Sequence, residues 1–324
     1  AADWIQGQFD ELLILETEQF PVDYLGNPAA PNVIAIQYGT KNPDQYVVCG
    51  SHLDSYSYSG VCPGADDNAT GVASVLETAR ILSQYNFERS IIYCAFGAEE
   101  VGLVGSFQYA EYCADMGLDI VGYFNNDMNG YLNPGDEIHI DLIYPNSVEP
   151  LGEYYMNLAN VYFPEMQVRH VNFQDGDSDH TSFNENGYMG IYPFEDYQNY
   201  SPYIHSANDL IGPSVNSFEM SQRYTQMNVA CVATLAVLDS ESVSEYEMNA
   251  VTMFPNPAQN TLELTTEFAG NNEVQIINSL GQIVKEFSFE SNVVVDVEDL
   301  NAGIYFVKII GSNNNITKKL IIND

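Results

Sequence analysis

Apolar residues over the first 240 positions follow two rhythms. Short unbroken runs rich in Val, Ile, Tyr and Phe occur in PNVIAIQYG (31–39), QYVVCGSH (45–52), SIIYCAFGAEE (90–100) and LDIVGYFNND (118–127), and they predict strands. Longer stretches with helical spacing, 68–85 and 217–238, predict helices. Unbroken apolar strands are those buried on both faces, so the alternation implies βαβ units and an α/β fold. The expected architecture is a three-layer, mainly parallel (mixed) sheet with helices on both faces. In such a sheet, ligands gather beyond the carboxyl ends of the strands.

The rhythm changes near residue 240. The stretch DSESVSEYEMNA (239–250) is polar, and 251–324 shows only short alternating segments: TLELTTEF, NEVQIIN, QIVKEFSF, SNVVVDV, GIYFVKII and NITKKLII. Turn residues separate them. Three parts follow: a large α/β domain over 1–240, a linker at 241–250, and a small C-terminal all-β sandwich over 251–324.

Charge narrows the function classes. The chain has 324 residues, with 45 acidic against 9 basic and a formal net charge of −36. Neutralising phosphates needs clustered Lys and Arg, so nucleic acid is excluded as a partner and anionic lipid is disfavoured. The 45% hydrophobic content excludes disorder as the source of the acidity. Of the charged residues, 36 acidic and 5 basic fall in 1–250, and 9 and 4 in 251–324. The larger domain therefore carries most of the negative charge, read as a solvated acidic surface. No apolar run is long enough to span a bilayer. The first residues show neither an initiator Met nor a basic region followed by an apolar stretch, the expectation for a mature, processed start. The five cysteines fit no disulfide framework or CxxC metal site, and Cys49 and Cys94 read as small buried hydrophobes.

Acidic and His residues stand where the predicted strands end. QYVVCG runs into His52 and Asp54, a glycine-bearing loop reaches Asp66-Asp67, IIYCAFG runs into Glu99-Glu100, and VGYFN runs into Asp127; His205 lies in a later loop. Two imidazoles and several carboxylates on one rim make a donor set suited to zinc or a similar divalent ion. Any one of these residues alone reads as an N-cap or a solvated first-turn acid; the set carries the metal reading. HExxH, GxSxG, P-loop and GxGxxG motifs are absent. The run Asp175-Gly176-Asp177-Ser178-Asp179 is not an EF-hand loop, because position 186 is Asn rather than Glu.

The series HLDS, GADDNATG, GAEEVGLVGS, NNDMNG, SDHTSF and IHSANDL resembles that of the co-catalytic di-zinc aminopeptidases, metallopeptidase family 28, over roughly residues 30–240. The resemblance implies two Zn2+ per chain: His52 and Asp127 on one, Glu100 and His205 on the other, and Asp66 bridging. It implies Glu99 as general base and Asp54 as the carboxylate orienting His52, with Asp67 and Asp179 supporting the ligands. It also implies a cis peptide after the bridging aspartate, at Asp66-Asp67. The family uses a Tyr to stabilise the oxyanion, and Tyr197, Tyr200 and Tyr203 are the candidates. His180 is expected in a supporting place, and His139 and His170 in structural ones. The implied reaction is removal of N-terminal residues from peptides by a water that two metals activate.

In the tail, Met253-Phe254-Pro255-Asn256-Pro257, Leu262, Leu264, Ser279-Leu280-Gly281-Gln282, Leu300-Asn301-Ala302-Gly303-Ile304-Tyr305 and Lys318-Lys319-Leu320 resemble the C-terminal sorting domain of the type IX secretion system. This implies export to the outside or outer surface of a Bacteroidetes-type bacterium, with the secretion machinery as partner. A monomer is expected. Three alternatives stand beside the aminopeptidase reading: a carboxypeptidase or dipeptidase of the same fold, a glutaminyl cyclase, and a non-catalytic surface-binding module.

Overall fold

The structure is a computed structural model describing residues 1–172, 178–239, 251–266, 270–278, 282–311 and 315–323. The chain divides into two compact units, Ala1–Asp239 and Ser240–Asp324. The expected linker at 241–250 lies outside the described residues.

In the first unit the elements run α1 (Ala2–Asp10), β1 (Glu16–Phe20), a small ribbon of β2 (Asp23–Tyr24) and β3 (Asn27–Pro28), β4 (Asn32–Gln37) and β5 (Asn42–His52). A tight turn at Ala65–Thr70 leads into α2 (Gly71–Leu82), followed by β6 (Arg89–Phe96), α3 (Val104–Asp115), β7 (Asp119–Asn125) and β8 (His139–Ile143). The unit closes with α4 (Glu149–Tyr162), β9 (Gln167–Val171), α5 (Asp179–Glu185), β10 (Gly190–Phe194) and α6 (Phe218–Ala236). One eight-stranded sheet has the order β1-β4-β6-β5-β7-β10-β8-β9. Its centre, β6-β5-β7-β10, is parallel. β1, β4 and β8 join antiparallel to their inner neighbours, so the sheet is mixed.

Alternation along each strand feeds two cores. Val33, Ala35, Ile91, Tyr93 and Ala95 pack with α1, α2, α4 and α6 on one face. The interleaved Ile34, Ile92, Cys94 and Phe96 pack with Tyr109 and Cys113 of α3 and Phe183 of α5 on the other. Burial on both sides is the reason the predicted strands read as continuous apolar runs. The helices α1, α3, α4 and α5 and the strands β1, β9 and β10 add to the elements predicted above. Among the described residues no helix is long and apolar enough to cross a membrane.

The second unit holds a three-stranded sheet, β11 (Val251–Phe254), β12 (Thr261–Thr266) and β15 (Asn292–Asp296), and a four-stranded one. The latter comprises β14 (Ile283–Phe289), β13 (Asn272–Asn278), β16 (Gly303–Ile310) and β17 (Asn315–Ile322). All pairings are antiparallel. Inward residues of the two sheets, among them Leu262, Leu264, Val274, Ile276, Val307 and Leu320, share one core.

Ile92 is fully buried on a central strand, so Ile92→Ala should lower the unfolding free energy of the first unit by about 2–5 kcal/mol. A urea melt followed by tyrosine fluorescence measures this, and a loss under 1 kcal/mol would contradict the described packing.

Candidate metal centre and active site

Each central strand ends by delivering a polar side chain to one rim. His52 is the last residue of β5, opposite Phe96 of β6, and its imidazole is almost fully buried. Its Nδ1 lies 3.1 Å from the Asp54 carbonyl oxygen. A carbonyl only accepts, so Nδ1 carries the proton and, in the neutral ring, Nε2 presents its lone pair. That Nε2 stands 3.2 Å from Asp127 Oδ1, just beyond β7, and 3.3 Å from Asp67 Oδ1. On the other side, His205 Nε2 is 3.2 Å from Asp67 Oδ2 and 3.0 Å from Glu100 Oε2. Two groups of three donors thus share the Asp67 carboxylate.

Backbone amides hold these acids in place. The Asp54 carboxylate accepts from the amides of Glu99 (3.1 Å) and Glu100 (3.3 Å), tying the loop after β6 to the end of β5. Asp209 accepts from the amides of Asp66 (2.9 Å) and Asp67 (3.1 Å), pinning the turn from the far side of the sequence. Asn68 donates to the Asn126 carbonyl and accepts from the Gly71 amide, fastening the start of α2 to the end of β7. Asp127 Oδ2 accepts from Ser178, which accepts from Asn125. Gly71 is required here: a Cβ would lie 2.2 Å from the Asn126 carbonyl oxygen.

The assignment of the shared carboxylate to Asp66 is corrected by this geometry. Asp66 Oδ1 accepts from the Gly130 amide and the Thr70 hydroxyl, so its carboxyl faces away from the two imidazoles. Asp67, expected only as support, occupies the shared position. The cis peptide correspondingly lies one step later, at Asp67-Asn68. Of the tyrosines, Tyr197 and Tyr200 line the cavity over the cluster, whereas Tyr203 sets its ring edge-on to Tyr131. Asp179 is fully buried near His52 and Asp127. His180 is buried and turned toward Tyr192, outside the cluster, and His170 stacks on Tyr144. Asp175 and Asp177 lie outside the described residues.

Glu195 is a further acid of the site, outside the motifs that the sequence singles out. It follows β10, is fully buried, and accepts from the amides of Tyr131 and Ser201. Burial and the neighbouring Asp66 raise its pKa well above the usual range, and burial raises that of Asp66 to about 7. The available signal was an acid just beyond another strand, in IYPFED.

Burial also raises Glu99 well above the carboxylate range, while burial and the Asp67 charge bring Glu100 to about 7. Burial disfavours an ionised Asp67 too, but the two imidazoles outweigh it and hold Asp67 below the usual range. For His52, burial favours the neutral ring, yet Glu99 and Asp127 outweigh that and raise its pKa. Among the described residues no Lys or Arg lines the cavity, whose volume is about 670 Å³, and Glu100 Oε1 is buried without a partner. Two imidazoles set among carboxylates, with no Lys or Arg between them, fit divalent cations, which would take the place of the protons that the carboxylates otherwise hold on the rings.

Residues 32–225 match the model of Peptidase family M28. The chain belongs to this family. Residues 252–323 match the secretion system C-terminal sorting domain. Among relatives of this M28 chain, the "Probable zinc metalloprotease" of Pyrenophora tritici-repentis is 30% identical over 202 residues, covering 51% of this chain and 46% of that protein. The LapA aminopeptidase of Legionella pneumophila superposes with a TM-score of 0.64 at 25% identity, over 74% of this chain and 65% of the other. BSAP, a zinc aminopeptidase from Bacillus subtilis, gives 0.56 at 26% identity, over 68% and 53%. The M28 chain spans about half the length or less of the curated relatives it matches.

Asp209→Asn keeps the size of the side chain but replaces one acceptor by an NH2 facing a buried amide. The metal-free protein should lose about 1–3 kcal/mol, read as a lower chemical-denaturation midpoint; an unchanged midpoint would remove Asp209 as the anchor of the turn.

Proposed function

We propose that the protein is a secreted, zinc-dependent aminopeptidase that hydrolyses N-terminal residues from peptides. The observation that carries this is the pair of donor triads, His52/Asp67/Asp127 and His205/Asp67/Glu100, joined through one carboxylate. Family membership and the zinc aminopeptidase neighbour support zinc dependence. The two triads support two Zn2+ per chain, with Asp67 rather than Asp66 between them. When bound, the ions supply Lewis acidity, polarising the scissile carbonyl and acidifying a water.

The chain's own groups do the rest. Asp54 fixes the backbone that carries Glu99 and Glu100, and its carbonyl fixes the His52 tautomer. Glu99, which reaches the same donor cluster as His52 and Asp127, takes the proton of the attacking water and passes it to the departing amine. The acidic cavity, with no Arg or Lys among the described residues of its lining, attracts a cationic α-amine and favours reaction at the amino end. Met128, Ile143, Tyr192, Phe194 and Ile204 form an apolar wall for the first side chain. Tyr197 or Tyr200 contacts the oxyanion.

The sorting-domain match supports delivery by the type IX machinery to the outside of the cell. The two joined triads favour a two-metal hydrolase over a one-metal cyclase, and the retained Glu99 argues against a non-catalytic binding module.

Two tests follow. Glu99→Gln should keep its metals and lose turnover of an aminoacyl chromogenic substrate by at least about 10²-fold, and acetylating the substrate amine should abolish cleavage by the unmutated enzyme; efficient cleavage of the blocked substrate would overturn the exopeptidase reading. By metal analysis of dialysed protein, Asp67→Asn should lose zinc while Asp66→Asn keeps two equivalents. The reverse pattern would restore Asp66 as the bridge.

A further inference from the structure

A second imidazole repeats the arrangement of His52 at a place the peptidase chemistry does not use. His139 opens β8, and its side chain is nine-tenths buried. Its Nδ1 lies 2.9 Å from the carbonyl oxygen of Glu137, two residues away. Nδ1 therefore holds the proton and donates it, leaving the lone pair of the neutral ring on Nε2. Nε2 has no hydrogen-bond partner and is aimed at Asp196 Oδ2 at 3.5 Å. A protonated Nε2 would draw that carboxylate into a hydrogen bond of about 2.7–2.9 Å. A spacing of 3.5 Å instead matches two donors of one tetrahedral ion, which stand about 3.4 Å apart when each is about 2.0–2.1 Å from the metal.

The surroundings are built to hold these two atoms. The Tyr224 hydroxyl of α6 shares its one proton between the carbonyls of Phe194 (2.6 Å) and His139 (2.9 Å), holding the start of β8 to the end of β10, where Asp196 follows. Asp196 Oδ1 is occupied by the amides of Gln198 and Asn199, which turns Oδ2 toward the imidazole. Asp141 completes a group of three buried donors. One of its oxygens accepts from Arg169 and the other from the Tyr197 amide, so it contributes through a remaining lone pair. The group borders a polar cavity of about 410 Å³ lined by Asp136, Glu137, Glu165 and Gln167. Water there can complete the coordination; Glu165 pairs with Arg223 at 3.6 Å, which leaves Asp136 and Glu137 beside Arg169.

We propose that His139, Asp196 and Asp141 form a third divalent-cation site, separate from the two peptidase triads and structural in role. One imidazole with carboxylates and water selects zinc or a neighbouring first-row ion over calcium, whose ligands are all oxygens. An ion there ties β8 to the Asp196–His205 loop, and so steadies the segment that carries His205.

The test uses the full chain, stripped of metal, labelled with 15N at histidine and saturated with 113Cd. Three cadmium resonances are expected, coupled to three histidine Nε2 atoms, and His139→Gln should remove one while leaving the other two. Two resonances in the unmutated chain would overturn the site, as would a third that survives His139→Gln. The count in the unmutated chain needs no variant to fold. The peptidase reading stands or falls separately, on the two resonances coupled to His52 and His205.

Discussion

Carboxylates repel one another and are costly to bury, yet the carboxyl ends of β5, β6 and β7 bring Asp67, Glu99, Glu100 and Asp127 together around two imidazoles, with no Lys or Arg among the described residues of the lining. What makes this possible is a set of backbone amides aimed at acids that stand behind the cluster. Asp54 holds the Glu99-Glu100 amides, Asp209 holds those of Asp66 and Asp67, and Glu195 holds those of Tyr131 and Ser201. Each supporting acid fixes a loop by accepting from it, so the loops place the forward-facing donors without a cation of their own. The rigid parallel sheet sets the spacing of the strand ends, and the amide-acid contacts set the last few ångströms.

This division of labour explains how two adjacent aspartates differ. Asp66 and Asp67 are chemically identical and both are anchored through their amides by Asp209. Asp66 turns back to Gly130 and Thr70, while Asp67 turns out between His52 and His205. The environments then separate their charges: burial raises the pKa of Asp66 to about 7, and the imidazoles keep Asp67 ionised. One faces the scaffold and the other faces the two imidazoles.

The same device, a histidine oriented by a carbonyl two residues away and aimed at a carboxylate, occurs at His52 and at His139. It recurs at the end of β5 and at the start of β8 of one sheet. The proton on Nδ1 is fixed by the chain's own turn, so Nε2 of each ring is the nitrogen turned to the carboxylate.

Much was legible in the linear chain. The strands around 31–39, 45–52, 90–96 and 118–125 and the helices near 71–82 and 218–236 were readable because burial on both faces leaves unbroken apolar runs and amphipathic helices keep their period. The C-terminal strands showed in the alternation of a half-buried sheet. His52, Asp54, Glu99, Glu100, Asp127 and His205 were readable as candidates because each stands just past a strand or in a loop beside the rim. Residue order alone did not decide which of Asp66 and Asp67 faces the imidazoles, since that depends on which partner, Gly130 or His205, the fold brings to each. Glu195, Asp209 and the pairing of His139 with Asp196 were equally hidden, because their partners lie up to 143 residues away in sequence and meet only when strands and loops distant along the chain are set side by side.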